Sequence, residues 1–318
     1  MPSNKSLYNF IETNFSERNS VIYAYRYLLD RNPENHNIVL DDNKSWNDLK
    51  RDIVESQEYI MKNLYTIMAY DVFTTNKLLR ESLDLYKDLF EGILERNYSK
   101  IISPGDHVID IGAHVGRHSS VFLSLIGNDG MLYAFEPLPE QYEHLCSNLN
   151  GANLDIRNVA LSDESGEMDF CYVVNYPEES GLKKRLAYSG EAEVTTIKVI
   201  VETLDSYIDN FTKVDYIKLD AEGAELAILR GGIKTISKHR PIINVEFGGT
   251  NYIPYGVRQT DLYDFCYQLD YLITDVFGNQ IPTRDAWAEI CDTASWDYFL
   301  IPSEKIRFFW TSIHKQND

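Results

Sequence analysis

The sequence has few basic residues for its size. Its 318 residues include 30 Lys and Arg against 49 Asp and Glu, which gives a formal net charge of −19. Proteins that bind nucleic acids need clustered Lys and Arg to contact the phosphate backbone. The charge balance therefore argues against a nucleic-acid partner. It fits a protein that acts on a small or neutral substrate, although it excludes no class of enzyme.

Long apolar runs are also absent. No window reaches the roughly twenty apolar residues that a membrane-spanning helix requires. The N-terminal residues MPSNKSLYNFIETNF contain no apolar segment of the kind that a secretory signal carries. We therefore expect no transmembrane segment and a cytoplasmic location.

Cysteine is scarce and widely spaced. No C-x-x-C motif is present, which argues against structural zinc and against a disulfide framework. We expect reduced thiols in the core at the four positions, which are Cys146, Cys171, Cys266 and Cys291.

The first hundred residues have helical periodicity and differ in character from the rest of the chain. The segment AYRYLLDRNPENHN, a later Trp46 and the string SQEYI resemble the small helical DUF4214 module, expected at about residues 20–60. We predict a helical N-terminal region, residues 1–100, followed by a main domain, residues 101–318. Two roles remain open for this region: a cap that packs on the main domain, or a docking element that forms a homo-oligomer through its helices.

Strand and helix signals alternate in the main domain. Residues 108–111, 131–135, 214–219 and 241–245 are predicted strands, with helices between them and a closing strand at residues 297–301. This alternation is typical of an α/β fold with parallel strands and helices on both faces. Within it, residues 168–174 and 195–201 alternate as an antiparallel pair does, and the polar loop that joins them is long enough to favour a functional role or disorder.

The turn after the first strand carries two glycines, Gly112 and Gly116. Glycine accepts positive φ and lets a ligand approach the backbone closely, and the start of the next helix offers free N–H groups. Glu136 comes about twenty residues later, where an acid can accept hydrogen bonds from a ribose diol. This spacing also permits a nicotinamide nucleotide. However, the turn is G-x-x-x-G and lacks the G-x-G-x-x-G bend for pyrophosphate, so a nucleoside without phosphates fits it better.

Further acids lie at the ends of the later strands. Asp220 and Glu222 follow the predicted strand at residues 214–219, and Glu246 follows the one at residues 241–245. Since ligands bind at the carboxyl ends of strands in such sheets, we expect these acids to face one cleft. Glu225 has a plainer interpretation, because an acid in the first turn of a helix stabilises the helix dipole.

Five motifs in order resemble the FkbM family of S-adenosylmethionine-dependent methyltransferases. They are DIGAHVGRHS, AFEPLP, NVALSDESG, VETLDSY and DYIKLDAEGAELAILRG. The resemblance implies the class I (Rossmann-like) methyltransferase fold, α/β with a seven-stranded, mostly parallel sheet and an antiparallel last strand. It also implies methylation of a hydroxyl on a sugar, glycan, glycosylated or polyketide-type acceptor, with S-adenosylhomocysteine as the second product.

The resemblance assigns site residues motif by motif. Glu136 with Pro137 matches the ribose-binding acid, and Ser162 with Asp163 matches the segment near the adenine. Asp220 and Glu222 match the acid pair beside the transferred methyl group. His114 departs from the family, which more often has Asn there. The residues that match the methionine-binding motif are Asp110, Gly112, Ala113, His114 and Gly116.

The chemistry that the resemblance implies is proton removal from a hydroxyl during methyl transfer. Asp220 is the first candidate base and Glu222 the second, each with a pKa that burial among other acids is expected to raise. A divalent metal held by Asp220, Glu222 and Glu246 is a less favoured alternative. Glu246, Tyr252 and Tyr255 are candidate substrate contacts. Two other functions remain open: a NAD-dependent oxidoreductase on a similar sheet, and a degenerate methyltransferase domain that acts as a binding scaffold.

Overall fold

In the computed structural model, the described residues are 83–186, 188, 191–248, 251–291 and 296–313. They belong to two compact units. One comprises Tyr98–Arg307, and the described part of the other comprises residues 83–97 and 308–313. The DUF4214-like segment at residues 20–60 lies outside the described residues, so it stays a prediction, as does the domain boundary at residue 100.

The main domain alternates strands with helices, as the sequence predicts. In the described residues, no helix is long and apolar enough to cross a membrane. In chain order the elements are α1 (Leu83–Ile101), β1 (His107–Ile111), α2 (Arg117–Ile126), β2 (Met131–Phe135), α3 (Pro139–Asn148), β3 (Leu154–Arg157), β4 (Ala160–Leu161), β5 (Gly166–Val173), β6 (Val194–Glu202), β7 (Tyr216–Leu219), α4 (Glu225–Gly231), α5 (Ile233–His239), β8 (Ile242–Glu246), α6 (Asp261–Gln268), β9 (Tyr271–Asp275), β10 (Gln280–Ile281), α7 (Arg284–Ile290), β11 (Asp297–Pro302) and α8 (Ile306–Ile313).

The large sheet has the strand order β10-β9-β11-β8-β7-β1-β2-β3. Strands β3, β2, β1, β7 and β8 pair in parallel, whereas β11 runs antiparallel between β8 and β9. This confirms the class I methyltransferase fold with its antiparallel last strand. The sheet has eight strands where seven were predicted, because the two-residue strand β10 adds an antiparallel edge to β9.

Strands β1 and β7 are neighbours in the interior of the sheet and are buried almost throughout. An aromatic group covers them: the ring of Phe122 on α2 lies 4.8 Å from that of Tyr98 and 5.8 Å from that of Tyr216. Each of these rings is fully buried or nearly so, and burying one such side chain stabilises a fold by roughly 1.5–3 kcal/mol. A rigid centre of this kind fixes the strand ends on which the site is built.

A second, three-stranded sheet has the order β4-β6-β5. Its β5 and β6 form the antiparallel pair that the alternating sequence predicts. The segment after β3 does not extend the large sheet, since Ala160 and Leu161 pair with β6 instead. Of the cysteines, Cys266 and Cys291 are buried as predicted, but Cys146 is exposed and Cys171 only half-buried, so the expectation of four core thiols is wrong.

Candidate functional site

A cavity opens at the carboxyl ends of β1, β2 and β7, where the polar strand ends were expected to meet. It contains about 660 Å³ of empty space, including open solvent at its mouth. Gly112, His114, Glu136, Pro137, Asp220 and Glu222 all line it. Six of the predicted site residues therefore face one space.

The glycine turn after β1 is shaped by a close backbone contact. Gly112 has φ of +78°, and a side-chain carbon at this position would lie 1.8 Å from the backbone oxygen of Asp220. Only glycine fits such a contact. The turn is thereby packed directly against the segment that carries Asp220, which brings the glycine turn and the acids after β7 together.

Glu136 lies directly after β2 as a buried carboxylate. One oxygen accepts a hydrogen bond from the backbone N–H of His114 and the other from that of Leu138, both at 2.8 Å. Burial raises the pKa of Glu136 to about 7 despite these two hydrogen bonds, and the charges of Asp110 and Asp220 contribute to the rise. Because each carboxylate oxygen has two acceptor positions, Glu136 can still accept hydrogen bonds from two hydroxyl groups of a ligand.

Three residues of the glycine motif lie behind the cavity wall. Asp110 is buried, and its Oδ2 accepts a 2.6 Å hydrogen bond from the hydroxyl of Ser119. Its Oδ1 has no hydrogen-bond partner among the described residues. Ala113 is buried beside Leu145, and Gly116 precedes α2 with φ of +91°. These three residues support the conformation of the glycine turn but do not line the cavity.

The segment predicted to lie near the adenine is Ser162–Asp163. Ser162 and Asp163 do not line the cavity, and the hydroxyl of Ser162 donates to Asp163 at 3.3 Å. The wall at this point is apolar, which suits a flat heteroaromatic ring. The sequence analysis missed its residues, which come from β4, β5, the loops beside them and α4: Val159, Ala160, Leu161, Phe170, Leu182 and Ile228.

Asp220 comes directly after β7 and faces the cavity. Burial opposes its ionisation, but the ammonium group of Lys218, 3.1 Å from Asp220 Oδ2, outweighs burial and holds the pKa of Asp220 below its ordinary value. The raised pKa that the sequence analysis expected for Asp220 is therefore wrong. Lys218 is itself buried and lies two residues earlier in the chain, on β7, so both side chains point to one face of the sheet.

Glu246 lies on β8 next to Asp220, one position beyond the paired residues Leu219 and Val245. Burial, and then the negative charge of Asp220, raise the pKa of Glu246 well above its ordinary value. A hydrogen bond between the two carboxyl groups lowers the pKa of Asp220 as well. The two pKa values are therefore shifted in opposite directions, so that Glu246 holds a proton more readily than Asp220, and it is Asp220 that lines the cavity.

Glu222 lines the cavity but is held by other side chains. Asn251 donates a hydrogen bond to Glu222 Oε2 at 3.0 Å, and the guanidinium group of Arg185 lies 3.3 Å from the same oxygen. Glu225 is bound to the backbone, since one of its oxygens accepts from the N–H groups of Ala221 and Gly223. Of the acids after β7, Asp220 is thus the best placed to contact a ligand.

The two tyrosines predicted as substrate contacts lie outside the cavity wall. Tyr252 is buried and stacks on Phe247 at 4.8 Å, and Tyr255 accepts a hydrogen bond from the backbone N–H of Lys183 at 3.2 Å. The described part of the chain contains no group of three or more His, Cys, Asp or Glu residues arranged to hold a metal ion. The metal alternative at Asp220, Glu222 and Glu246 has no support from this geometry.

The sequence also matches a known protein family. The sequence model described as the methyltransferase FkbM domain matches residues 110–273, slightly more than half of the chain. The matched range begins at Asp110 and includes Glu136, Asp220 and Glu246. Among curated proteins, methyltransferase sdnD of Sordaria araneosa is 26% identical over 182 residues, which cover 48% of this chain and 69% of that protein.

Solved structures of low sequence identity also resemble the chain. A methyltransferase FkbM from Methylobacillus flagellatus KT matches with a TM-score of 0.41 and 17% identity over 76% of this chain. The chain spans only 59% of that relative's length. A fibrillarin from Aeropyrum pernix, solved with natively bound S-adenosylmethionine, matches with a TM-score of 0.37 and 12% identity over 65% of this chain and 74% of that protein. At this level of similarity, the function has to be inferred from the residues of the site.

Proposed function

Because the chain belongs to the family of FkbM-domain methyltransferases, we propose that it transfers a methyl group from S-adenosylmethionine to a hydroxyl group. The proposed acceptor is a sugar, a glycan, or a glycosylated or polyketide-type metabolite. The observation that carries the proposal is an ionised carboxylate, Asp220, in the same cavity as Gly112 and Glu136. A hydroxyl acceptor needs a base for its proton, whereas a neutral amine does not.

The residues present fit S-adenosylmethionine. When bound, the cofactor supplies a methyl group on a positively charged sulfur. Glu136 would accept the hydrogen bonds of its ribose, the turn at Gly112 would contact its methionine part, and the apolar wall around Leu161 and Ile228 would cover the adenine. The negative charge of Asp220 would also favour a cationic centre nearby.

Asp220 is the proposed general base. The hydroxyl oxygen would gain positive charge as it takes the methyl group and the methyl–sulfur bond breaks, so its proton would become strongly acidic. A carboxylate with a low pKa is then able to accept that proton. Lys218 keeps Asp220 ionised and fixes its orientation through the 3.1 Å hydrogen bond, so that Asp220 can accept a hydrogen bond from the acceptor before the reaction.

The experiment that tests this function compares matched acceptors. The protein is incubated with labelled S-adenosylmethionine and a panel of sugars and polyketide-type alcohols, each paired with the analogue that lacks one hydroxyl. We expect methylated product from at least one acceptor and none from its deoxy analogue. Label that is transferred only to nitrogen or carbon would contradict O-methylation, and no transfer to any acceptor would favour the scaffold alternative.

A thermal-shift comparison separates the proposal from the oxidoreductase alternative. S-adenosylhomocysteine is expected to raise the melting temperature, because a ligand that binds only the folded state at 100 times its Kd stabilises it by about 2.7 kcal/mol. NAD is expected to leave the melting temperature unchanged, since the turn at Gly112 lacks the pyrophosphate bend. Stabilisation by NAD alone would contradict the methyltransferase assignment.

Cofactor affinity is expected to depend on the ionisation of Glu136. The carboxylate accepts hydroxyl hydrogen bonds, and its pKa is about 7, so the Kd for S-adenosylhomocysteine should fall about tenfold between pH 6 and pH 8. The stability of the ligand-free protein has the opposite trend. The raised pKa contributes stability below the ordinary pKa of a glutamate, and this contribution is lost as the pH rises through 7.

Isothermal titration calorimetry at several pH values measures this effect. In Glu136→Gln the tenfold change should disappear, and whatever pH dependence remains belongs to the ligand and to other groups such as Glu225, whose pKa is also about 7. An unchanged pH dependence in the variant would exclude Glu136 as the group that controls binding.

A further inference from the structure

A segment between β5 and β6 folds back over the cavity. This segment, residues 175–185, is here called the strap. The backbone of Gly181 exchanges two hydrogen bonds with that of Cys171, at 2.9 and 3.1 Å, and the hydroxyl of Ser180 accepts from the backbone N–H of Val173 at 3.0 Å. The strap therefore has its own set of hydrogen bonds and a defined course across the sheet.

One face of the strap belongs to the cavity wall. Pro177, Glu178, Ser180 and Leu182 line the same space as Glu136. A ligand that fills the cavity would contact these residues on one side. The strap must then allow that ligand to enter and leave.

Arg185 ties the end of the strap to the turn after β7. Its Nη1 lies 3.3 Å from Glu222 Oε2 and 3.9 Å from Glu179 Oε2 within the strap. Its Nε donates to Asn251 Oδ1 at 3.1 Å, and Asn251 in turn donates to Glu222. The side chains of Arg185 and Glu222 are only 14% and 16% exposed, so solvent screens this ion pair less than a surface pair.

The turn that receives Arg185 is itself tightly held. Glu222 has φ of +54°, in the left-handed region that non-glycine residues rarely adopt. A side-chain carbon on the following Gly223 would lie 2.2 Å from the backbone oxygen of Asn251. Because Asp220 lies only two residues before Glu222, a displacement of Glu222 also displaces the turn that carries the proposed base.

We propose that Arg185 is a positioning residue for the cofactor: its ion pair with Glu222 holds the strap closed over the occupied cavity and breaks when S-adenosylhomocysteine leaves. The role rests on the proposed function, since it assumes that the cavity binds this cofactor. Nothing in the family motifs assigns Arg185, which lies in the loop between two of them.

The test uses three variants of the full chain. Arg185→Gln removes the ion pair, and Arg185→Lys keeps a charge for Glu222 but loses the donor to Asn251. Lys184→Gln is the matched control, because it removes one positive charge from the neighbouring strap residue, which is exposed and has no ion pair among the described residues. Amide hydrogen exchange of the strap is measured without ligand, and the dissociation rate of S-adenosylhomocysteine is measured by stopped flow.

We expect Arg185→Gln to release S-adenosylhomocysteine about tenfold faster than the wild type, the factor that corresponds to one charge-assisted hydrogen bond. Strap amides should exchange faster by a similar factor, Arg185→Lys should be intermediate, and Lys184→Gln should match the wild type. The double variant that combines Glu222→Gln with Arg185→Gln should release S-adenosylhomocysteine no faster than either single variant.

Equal release rates and equal strap exchange in Arg185→Gln and the wild type would overturn the proposal. If Arg185→Gln does not fold, Arg185→Lys decides the question in the same way, since it must still release faster than Lys184→Gln. The two proposals fail differently. An active enzyme with unchanged release would contradict only the role of Arg185, whereas faster strap exchange in a protein that methylates no hydroxyl would contradict only the reaction.

Discussion

Replacing Asp220 by asparagine is expected to lower the rate of methyl transfer by about 10²–10⁴-fold, the usual contribution of a general base. Asparagine has nearly the same shape, and its amide oxygen can still accept the hydrogen bond of Lys218. It is not able to take a proton from a hydroxyl. Cofactor binding should persist, because Glu136 and the Gly112 turn are unchanged.

The measurements are single-turnover rates of methyl transfer and the Kd for S-adenosylhomocysteine in the same preparation. Asp129→Asn is the matched control, since it removes an exposed acid that does not line the cavity. We expect wild-type rates from this control. Wild-type turnover in Asp220→Asn would exclude Asp220 as the base, and Glu222 would then be the next acid of the cavity to test.

Replacing Gly112 by alanine is expected to destabilise the protein by about 3 kcal/mol or more and to abolish cofactor binding. An alanine at positive φ costs roughly 1–2 kcal/mol. The larger effect is steric, because the new carbon would lie 1.8 Å from the backbone oxygen of Asp220. The turn and the Asp220 segment would have to separate, and this changes the cavity wall on both sides.

Gly105→Ala provides the matched control for this change. Gly105 has φ of +88°, similar to the +78° of Gly112, but no atom lies within 4 Å of the position that a side-chain carbon would take. It should therefore show only the cost of the backbone conformation. Urea denaturation measures both free energies of unfolding. Equal losses of unfolding free energy in the two variants would show that the close contact with Asp220 does not contribute to the destabilisation.

The sequence is sufficient to predict the residues of the site that lie at strand ends. Gly112, Glu136 and Asp220 each come directly after a buried strand, and parallel strands bring their carboxyl ends to one edge of the sheet. That rule depends only on the order of strands and helices, which the alternation of apolar segments indicates. The extra strand β10 could not be predicted in this way, because two residues are too few to show a period.

The ionisation of Asp220 was predicted in the wrong direction, although its cause was visible in the sequence. Side chains two residues apart on a strand point to the same face, so Lys218 had to lie beside Asp220. The raised pKa belongs to Glu246 instead. The acids at the strand ends do not by themselves decide the direction of this pKa shift, because the charge of Lys218 outweighs burial at Asp220.

The residues of the strap could not be found from the sequence. The polar loop that contains Arg185 has no hydrophobic period, and its contacts with Glu222 and Asn251 join positions far apart in the chain. The apolar wall at Phe170 and Leu182 was missed for a related reason. Loops acquire their positions from tertiary contacts, which local patterns do not record.

A crystal structure with S-adenosylhomocysteine tests the central claim most directly. We expect the ligand in the cavity at the ends of β1, β2 and β7, with its ribose hydroxyls within about 2.7–3.2 Å of the carboxylate of Glu136. We also expect its sulfur to face Asp220 and its adenine to lie against Leu161 and Ile228. A ligand bound elsewhere, or bound with its sulfur directed away from Asp220, would contradict both the donor pocket and the proposed base.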